Sequence, residues 1–136
     1  MAAHIAEQFI EALRRLEESR EMEALIALYA DHSEVGNIIA PEKFTGPEGA
    51  REFWTKYRDT FGEVRSTFRN RIITDTCAAL EWTTEGTTAA GGASFTYEGV
   101  SILEIEGDHI TRFRAYFNAE ALGRQIEKAA ATNAGQ

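Results

Sequence analysis

Hydrophobic and polar positions alternate with a period of two through residues 94–118, and this stretch organises the rest of the chain. One parity is apolar in each half of the stretch, with Leu103 in the first half and Phe113 and Phe117 in the second. A β-strand places alternate side chains on opposite faces, and Gly107–Asp108 between the halves suits a hairpin turn. The pattern predicts two long antiparallel strands with one apolar face against a core or cavity.

Two earlier segments, residues 63–74 and 77–87, show the same alternation and predict two more strands. In each strand, one set of alternate residues is predicted to face inward, on the same side of the sheet as the apolar face of the hairpin. This set contains a few polar side chains among large apolar ones. The predicted inward set comprises Val64, Ser66, Phe68, Asn70, Ile72, Ala78, Leu80, Trp82 and Thr84. The opposite parity carries most of the arginines and glutamates, which we expect to face outward.

Helical spacing predicts an amphipathic first helix over residues 3–18. Its buried stripe is predicted to contain Ala6, Phe9, Ile10, Leu13 and Leu16. Its opposite, charged face is predicted to contain Glu7, Glu11, Arg14, Glu17 and Glu18. A second helix is predicted to begin at an N-cap on Ser19 and to end near Asp31–His32. A short strand over residues 34–40 is then predicted to stop at Pro41.

Gly46–Pro47 is predicted to open a third helix, since proline is tolerated at the first helical position, and Gly62 to end it. The aromatic residues on one side of this helix are Phe53, Trp54, Tyr57 and Phe61. After the hairpin, Asn118 is predicted to cap a last helix carrying Leu122 and Ile126. Helices that are segregated from hairpins indicate the α+β class.

Composition narrows the classes of function. A chain of 136 residues is long enough for one domain with a core and too short for two. A net charge of −8 argues against nucleic acid and against an anionic membrane surface as partners. The single cysteine, the absence of a signal-peptide pattern and the lack of a long apolar run indicate a cytoplasmic protein. The three scattered histidines show no metal-ligand spacing, so we expect no metal and no cofactor.

Four segments carry a resemblance to a known family. They are YADHSEV after the second helix, GPEGAREFW at the start of the third, ALEWTTEGT in a strand, and EGVSILEIEGDHITRFRAYFNAEAL in and after the hairpin. With these segments the chain resembles the SnoaL-like group of the nuclear transport factor two superfamily. The resemblance implies a cystatin-like α+β cone, in which a curved antiparallel sheet wraps around N-terminal helices and encloses a pocket. It also implies one domain over residues 1–130. Residues 131–136 are expected to form a frayed tail, as chain ends commonly do.

Members of this superfamily include ketosteroid isomerases, polyketide cyclases, epoxide hydrolases and non-enzymatic binding domains, so fold alone does not assign a function. The resemblance places the proton-abstracting carboxylate of the isomerases near Asn37 and an acid of the cyclases and hydrolases at Ala115. The arginine and second aspartate of the hydrolases fall on Trp82 and Thr84. These four side chains lack the functional groups of the relatives, which weighs against their reactions.

Two functions therefore stay open. One is a domain that binds a small hydrophobic, oxygenated molecule, and the other is an acid–base enzyme (an isomerase, cyclase or hydrolase) acting on a polyketide-like, steroid-like or epoxide substrate. Inward polar groups among apolar ones suit a ligand pocket, although any single aromatic residue is more commonly part of a core. The predicted substrate-binding residues are Asn37, Trp54, Tyr57, Phe68, Asn70, Trp82, Thr84, Tyr97, Ser101 and Phe113.

The outward parity of the sheet raises a further expectation about assembly. It carries Val100, Ile102 and Tyr116 among its charged side chains. Apolar residues scattered among charges suit either a solvated face or an interface. Because relatives with this fold commonly pair through the outer sheet, we expect a homodimer through this face.

Overall fold

The computed structural model describes residues 2–38, 43–120 and 122–123. In this part of the chain, three helices precede and interrupt a six-stranded curved sheet, as the α+β prediction required. The elements are α1 (Ala2–Ser19), α2 (Glu23–Ile26), β1 (Tyr29–Asn37), β2 (Phe44–Thr45), α3 (Gly46–Asp59), β3 (Phe61–Ile73), β4 (Cys77–Thr88), β5 (Ser94–Glu106) and β6 (His109–Phe117). None of the described helices is long and apolar enough to cross a membrane.

The sheet has the strand order β2-β1-β6-β5-β4-β3. All neighbours pair antiparallel except β1 and β6, which pair in parallel. Helices α1 and α3 cover the inner face, where the main core contains Phe9 and Leu16 from α1 and Leu80 and Leu103 from the sheet. The predicted inward positions Leu80, Trp82, Leu103 and Phe113 are buried, and Phe68 and Phe117 are partly buried.

The second helix is much shorter than predicted. Ser19 is the last residue of α1, and its hydroxyl donates to the carbonyl of Arg15 at 2.9 Å instead of capping a new helix. Tyr29, predicted to be helical, begins β1, where it pairs with Ile110 of β6. Pairing with β6 and burial of the Tyr29 ring therefore override the helical spacing of this segment. The predicted stop at Pro41 lies outside the described residues.

Strand β3 contains a β-bulge that reverses the predicted parity. Phe68 pairs with Trp82, but the next pair joins Asn70 to Glu81, so Arg69 is the extra residue. Because a one-residue shift moves every later side chain to the other face, Asn70 is exposed and its amide donates to Glu81. The inward placements of Asn70 and Ile72 are therefore wrong.

Beyond the bulge, the β3 residues predicted to face inward lie on the outer face, and those predicted to face outward lie on the inner face. Ile72 is 68% exposed. Arg71, predicted to face outward, forms an ion pair with Glu7 of α1, which covers the inner face.

At the end of the chain, residues 119–120 and 122–123 are helical, and the Leu122 amide donates to the Asn118 carbonyl at 3.3 Å. The side chain of Leu122 is partly buried against a second cluster of buried residues, which includes Phe61, Phe95 and Tyr97. Ile126 and the predicted frayed tail, residues 131–136, lie outside the described residues.

Candidate functional site

A cavity of about 70 Å³ lies between the helices and the inner face of the sheet. Side chains from α1, α3 and five of the six strands line it. The lining residues are Phe9, Leu13, Asn37, Phe53, Trp54, Tyr57, Ser66, Phe68, Trp82, Thr84, Tyr97, Ser101, Phe113, Ala115 and Phe117. This set contains no lysine, arginine, histidine, aspartate or glutamate, so no formally charged side chain lines the cavity wall.

Nine of the ten residues predicted for substrate binding line this cavity, and Asn70 does not. The nine are Asn37, Trp54, Tyr57, Phe68, Trp82, Thr84, Tyr97, Ser101 and Phe113. Asn70 lies on the outer face because of the bulge in β3. The structure thus brings the nine side chains together, and their role in binding stays a prediction.

The positions that carry catalytic groups in enzymatic relatives also meet at the cavity. Asn37 of β1 pairs with Ala115 of β6, and both line the cavity together with Trp82 and Thr84 of β4. None of these four side chains is a carboxylic acid or a base. The described strands therefore place no carboxylate at these positions.

A buried carboxylate is nevertheless present, and it comes from the helix. Glu17 near the end of α1 is 5% exposed. Its Oε1 accepts the backbone N–H of Ser66 at 2.8 Å, and its Oε2 accepts the hydroxyls of Ser66 and Tyr57, both at 2.7 Å. The predicted placement of Glu17 on the exposed, charged face of the helix is therefore wrong.

A signal in the sequence could have located Glu17. It stands four residues after Leu13, and side chains four residues apart share one face of a helix. Glu18, the next residue, is exposed and pairs with Arg14. The burial stripe of α1 includes both Leu16 and Glu17, so the stripe is wider than a purely apolar criterion predicts.

The hydrogen bonds of Glu17 connect it to the cavity wall through Ser66 and Tyr57. The Ser66 hydroxyl also lies 2.7 Å from the hydroxyl of Thr84, which is 2% exposed. Ser66, Tyr57 and Thr84 all line the cavity, whereas Glu17 lies behind them and lines an open depression of about 260 Å³ between α1 and β3. We refer to Glu17, Tyr57, Ser66 and Thr84 as the hydroxyl cluster.

The electrostatics of this region keep its tyrosines neutral. Burial, followed by the negative charge of Glu17, raises the pKa of Tyr57 well above its ordinary value. The same two causes raise the pKa of Tyr97. Both phenols therefore keep their protons at neutral pH, and neither is poised to act as a base.

Aromatic rings form most of the remaining wall. Trp54 lies 5.2 Å from both Tyr57 and Phe113, and Trp82 lies 5.2 Å from Tyr97, measured between ring centroids in T-shaped arrangements. The indole N–H of Trp54 donates to the Tyr29 hydroxyl at 3.0 Å, and that of Trp82 donates to the Ser101 hydroxyl at 2.9 Å. Both indole donors thus have partners within the protein.

Gly99 makes room for the Trp82 ring. A Cβ atom at Gly99 would lie 2.8 Å from Cζ2 of Trp82 and 2.3 Å from the carbonyl oxygen of Tyr116. Only the absence of a side chain lets β5 pass this closely beneath the ring.

Within the described residues, no group of three or more His, Cys, Asp or Glu side chains could hold a metal ion.

A curved sheet that closes over helices around an internal cavity defines the cone-shaped class of α+β domains. The family profile of the SnoaL-like domain matches residues 6–113, and the chain belongs to that family. None of the functionally curated proteins matches the chain in sequence.

Three solved structures illustrate the shared fold. An NTF2-like protein from Anabaena variabilis ATCC 29413 is 18% identical with a TM-score of 0.79, over 89% of this chain and 92% of that one. A protein with a ketosteroid isomerase-like fold from Catenulispora acidiphila DSM 44928, in complex with trimethylamine, is 15% identical with a TM-score of 0.78, over 92% and 93% of the two chains. TerC, co-crystallised with polyporic acid, is 18% identical with a TM-score of 0.77, over 92% and 97%. At these identities the similarity establishes the nuclear transport factor two-like fold.

Proposed function

We propose that this protein binds a small, mostly apolar molecule in the cavity between its helices and sheet. The observation that carries the proposal is the composition of the wall: aromatic and aliphatic side chains surround a few polar groups, most of them in the hydroxyl cluster. An apolar cavity with a few polar groups in fixed positions is the usual form of a small-molecule site. The apolar wall supplies contact area, and the polar groups orient the ligand.

The ligands of similar folds support a small-molecule role. One structural neighbour is described in complex with trimethylamine and another with polyporic acid. These two molecules differ greatly in size and charge, so they support the kind of function and leave the ligand to be inferred from the wall of this cavity. A volume of about 70 Å³ favours a compact ligand.

Acid–base catalysis is the second candidate, and Glu17 is the observation that favours it, because a buried carboxylate is a common general base. Its hydrogen-bonded position behind Tyr57 and Ser66 argues against that role, since a general base must reach the substrate. The raised pKa of Tyr57 keeps the intervening phenol protonated. Binding without turnover is therefore the function that the geometry supports best. We expect hydrolysis of epoxides and isomerisation of 3-ketosteroids to be absent or very slow.

The two tryptophans of the chain provide a direct test of binding, because both line the cavity. In ¹⁵N-labelled protein, a ligand in the cavity should shift the indole N–H signals of both Trp54 and Trp82. We suggest a titration with compact amines, alcohols and hydrocarbons of about four to six non-hydrogen atoms, followed through these two signals.

A cavity-filling variant supplies the control. Ala115→Leu should fill part of the cavity and abolish the shifts, whereas Ala3→Leu at an exposed position of α1 should leave them intact. If no compound in the panel shifts the indole signals, or if Ala115→Leu responds as the wild type does, the binding proposal fails.

We also propose that the protein forms a homodimer through the outer face of the sheet. Two adjacent rows of cross-strand neighbours there contain exposed or half-exposed apolar groups: Ile72 and Ile102 in one row, and Val100 and Tyr116 in the other. Tyr116 is 39% exposed. Pairing of two such faces would remove these apolar groups from water.

Light scattering tests the assembly. Ile102→Asp should shift a dimeric mass to a monomeric one, because it would bury an unpaired charge in the interface. Gln8→Asp, at an exposed position on α1 on the other side of the sheet, should keep the dimeric mass. A monomeric wild type at micromolar concentration would refute the proposal.

A further inference from the structure

The direction of the hydrogen bonds in the hydroxyl cluster determines what the cavity can recognise. Each hydroxyl has one proton to donate. Tyr57 and Ser66 both donate theirs to Oε2 of Glu17. Since the Ser66 proton is already used, the short contact between Ser66 and Thr84 requires Thr84 to be the donor. All three protons therefore point along the cluster toward Glu17.

The cavity consequently meets oxygen lone pairs at this part of its wall. Tyr57, Ser66 and Thr84 line the cavity, and the protons of their hydroxyls are directed to partners within the protein. The indole N–H groups of Trp54 and Trp82 are likewise directed to Tyr29 and Ser101. A ligand group next to the cluster is thus matched best when it donates hydrogen bonds, whereas the protonated phenol of Tyr97 is a donor elsewhere in the cavity wall.

The negative charge of Glu17, behind the other members of the hydroxyl cluster, also favours a ligand with hydrogen-bond donors. The ion pairs formed by the described residues do not include Glu17. Arg14 and Arg71 line the depression beside Glu17, but they pair with Glu11 and Glu18 and with Glu7 respectively. A buried negative charge that makes no direct ion pair is stabilised by a further cation nearby.

Arg58 is the buried guanidinium within electrostatic range of Glu17. It makes no ion pair with Glu17 and donates instead to the backbone carbonyls of Phe61 and Gly62 at 3.0 and 3.2 Å. With no basic side chain in the cavity wall, a positive charge would have to come from a ligand.

The aromatic wall and the volume complete the match. Rings of Trp54, Trp82, Phe113 and Tyr97 surround the cavity, and the faces of aromatic rings attract organic cations. A volume of about 70 Å³ accommodates roughly five water-sized groups when one such group needs about 10–15 Å³. This is the size of an ammonium group with its methyl substituents.

From this arrangement, and resting on the proposed function, we infer that the cavity selects a small protonated amine, with its N–H directed at the hydroxyl cluster and its alkyl groups against the aromatic rings. Glu17 is a positioning residue in this site: it orients the hydroxyls and supplies the negative charge without touching the ligand.

A series of compounds of similar size and three different charges tests the inference at pH 7. Trimethylammonium, tert-butanol and acetate are compact, with about four or five non-hydrogen atoms each, and carry a positive, a neutral and a negative group. Following the indole signals of the folded protein, we expect trimethylammonium to bind at least about tenfold more tightly than tert-butanol, and acetate to cause no shift. Tetramethylammonium, which lacks an N–H donor, should bind more weakly than trimethylammonium.

Two variants separate the charge of Glu17 from general effects. Glu17→Gln keeps the size of the side chain, removes its charge and replaces one acceptor oxygen by an N–H donor. It should lower the affinity for trimethylammonium about tenfold and leave that for tert-butanol nearly unchanged. Glu18→Gln makes the same change at the neighbouring exposed position and should alter neither affinity. If Glu17→Gln does not fold, the preference of the wild-type protein among the three charges decides the question alone.

The outcomes distinguish this inference from the function on which it rests. If tert-butanol or acetate binds as tightly as trimethylammonium, the cavity binds small molecules but the selection of a cation is refuted. If Glu17→Gln folds and keeps the full preference, the assigned role of Glu17 is refuted. If none of the compounds shifts the indole signals, the inference and the choice of a small ligand fall together.

Discussion

The inner and outer faces of the sheet use polar side chains in opposite ways. On the inner face, Ser66, Thr84 and Ser101 have hydrogen-bond partners within the protein, and the last two are almost fully buried. On the outer face, Arg112 pairs with Glu104 at 3.0 Å while both side chains are substantially exposed. Alternate residues of the same strands thus differ in what their removal should cost. When its partner is removed, a buried polar group on the inner face is left without a hydrogen bond, whereas an exposed group on the outer face is solvated by water.

The largest effect should follow from a methyl group added on the inner side of β5. We expect Gly99→Ala to destabilise the protein by about 3 kcal/mol or more, because its Cβ would overlap the Tyr116 carbonyl, a backbone atom that cannot rotate away. Chemical denaturation measures the change. Gly123→Ala, a helical position with nothing within 4 Å of the new Cβ, is the control and should change stability by less than about 1 kcal/mol. Equal effects of the two substitutions would contradict the close approach at Gly99.

The next effect compares two neighbouring glutamates. Glu17→Ala should lower the free energy of unfolding by about 2 kcal/mol, since it leaves the Ser66 amide and the Ser66 and Tyr57 hydroxyls without their acceptor. Glu18→Ala removes only an exposed ion pair with Arg14 and should cost about 0.5 kcal/mol or less. Urea denaturation of both variants measures the difference. A cost at Glu18 equal to that at Glu17 would show that burial is not the cause.

High pH should lower the free energy of unfolding through the buried tyrosines. Burial raises the pKa of Tyr29, Tyr57 and Tyr97, so above about pH 10 these phenols stay protonated in the folded protein while the unfolded chain releases its protons. The folded state then binds more protons than the unfolded state, and stability falls as pH rises, by about 1.4 kcal/mol per pH unit for each such tyrosine.

Unfolding measurements between pH 9 and pH 11 test this dependence. Tyr57→Phe should reduce the slope by about half a proton near pH 10 and by nearly one proton near pH 11. Tyr116→Phe on the outer face serves as the exposed control. An unchanged slope in Tyr57→Phe would contradict the assigned role of its burial.

Period-two alternation was sufficient to predict β4, β5 and β6 and the inward set that they contribute. It failed in β3 because alternation carries no sign of where an extra residue enters a strand, and the bulge at Arg69 moves Asn70 and Ile72 outward. The resulting pairs, Asn70 with Glu81 and Arg71 with Glu7, stabilise the shifted register, but each depends on a partner distant in sequence. Such partners become visible only in three dimensions.

The candidate site was predicted where strands form it and missed where a helix contributes. Residues such as Trp82, Thr84 and Tyr97 follow from strand parity alone. Glu17 was assigned to the charged face because a carboxylate is rarely buried. Its burial depends on donors in β3 and α3, 49 and 40 residues away in sequence. Whether a charged side chain is buried depends on the partners that bind it, and residue propensities do not identify those partners.

The smallest effect should come from the outer face. Glu104→Gln removes the ion pair with Arg112 on two neighbouring strands, and the expected loss is about 0.5 kcal/mol or less, because water solvates both groups once the pair is broken. A double-mutant cycle with Arg112→Gln, measured by urea denaturation at low and high salt, isolates the coupling between the two side chains. The coupling should fall further at high salt, since salt screens exposed charges. A coupling above about 1 kcal/mol that persists at high salt would show that this outer pair is shielded from water. The proposed difference between the inner and outer faces would then be refuted.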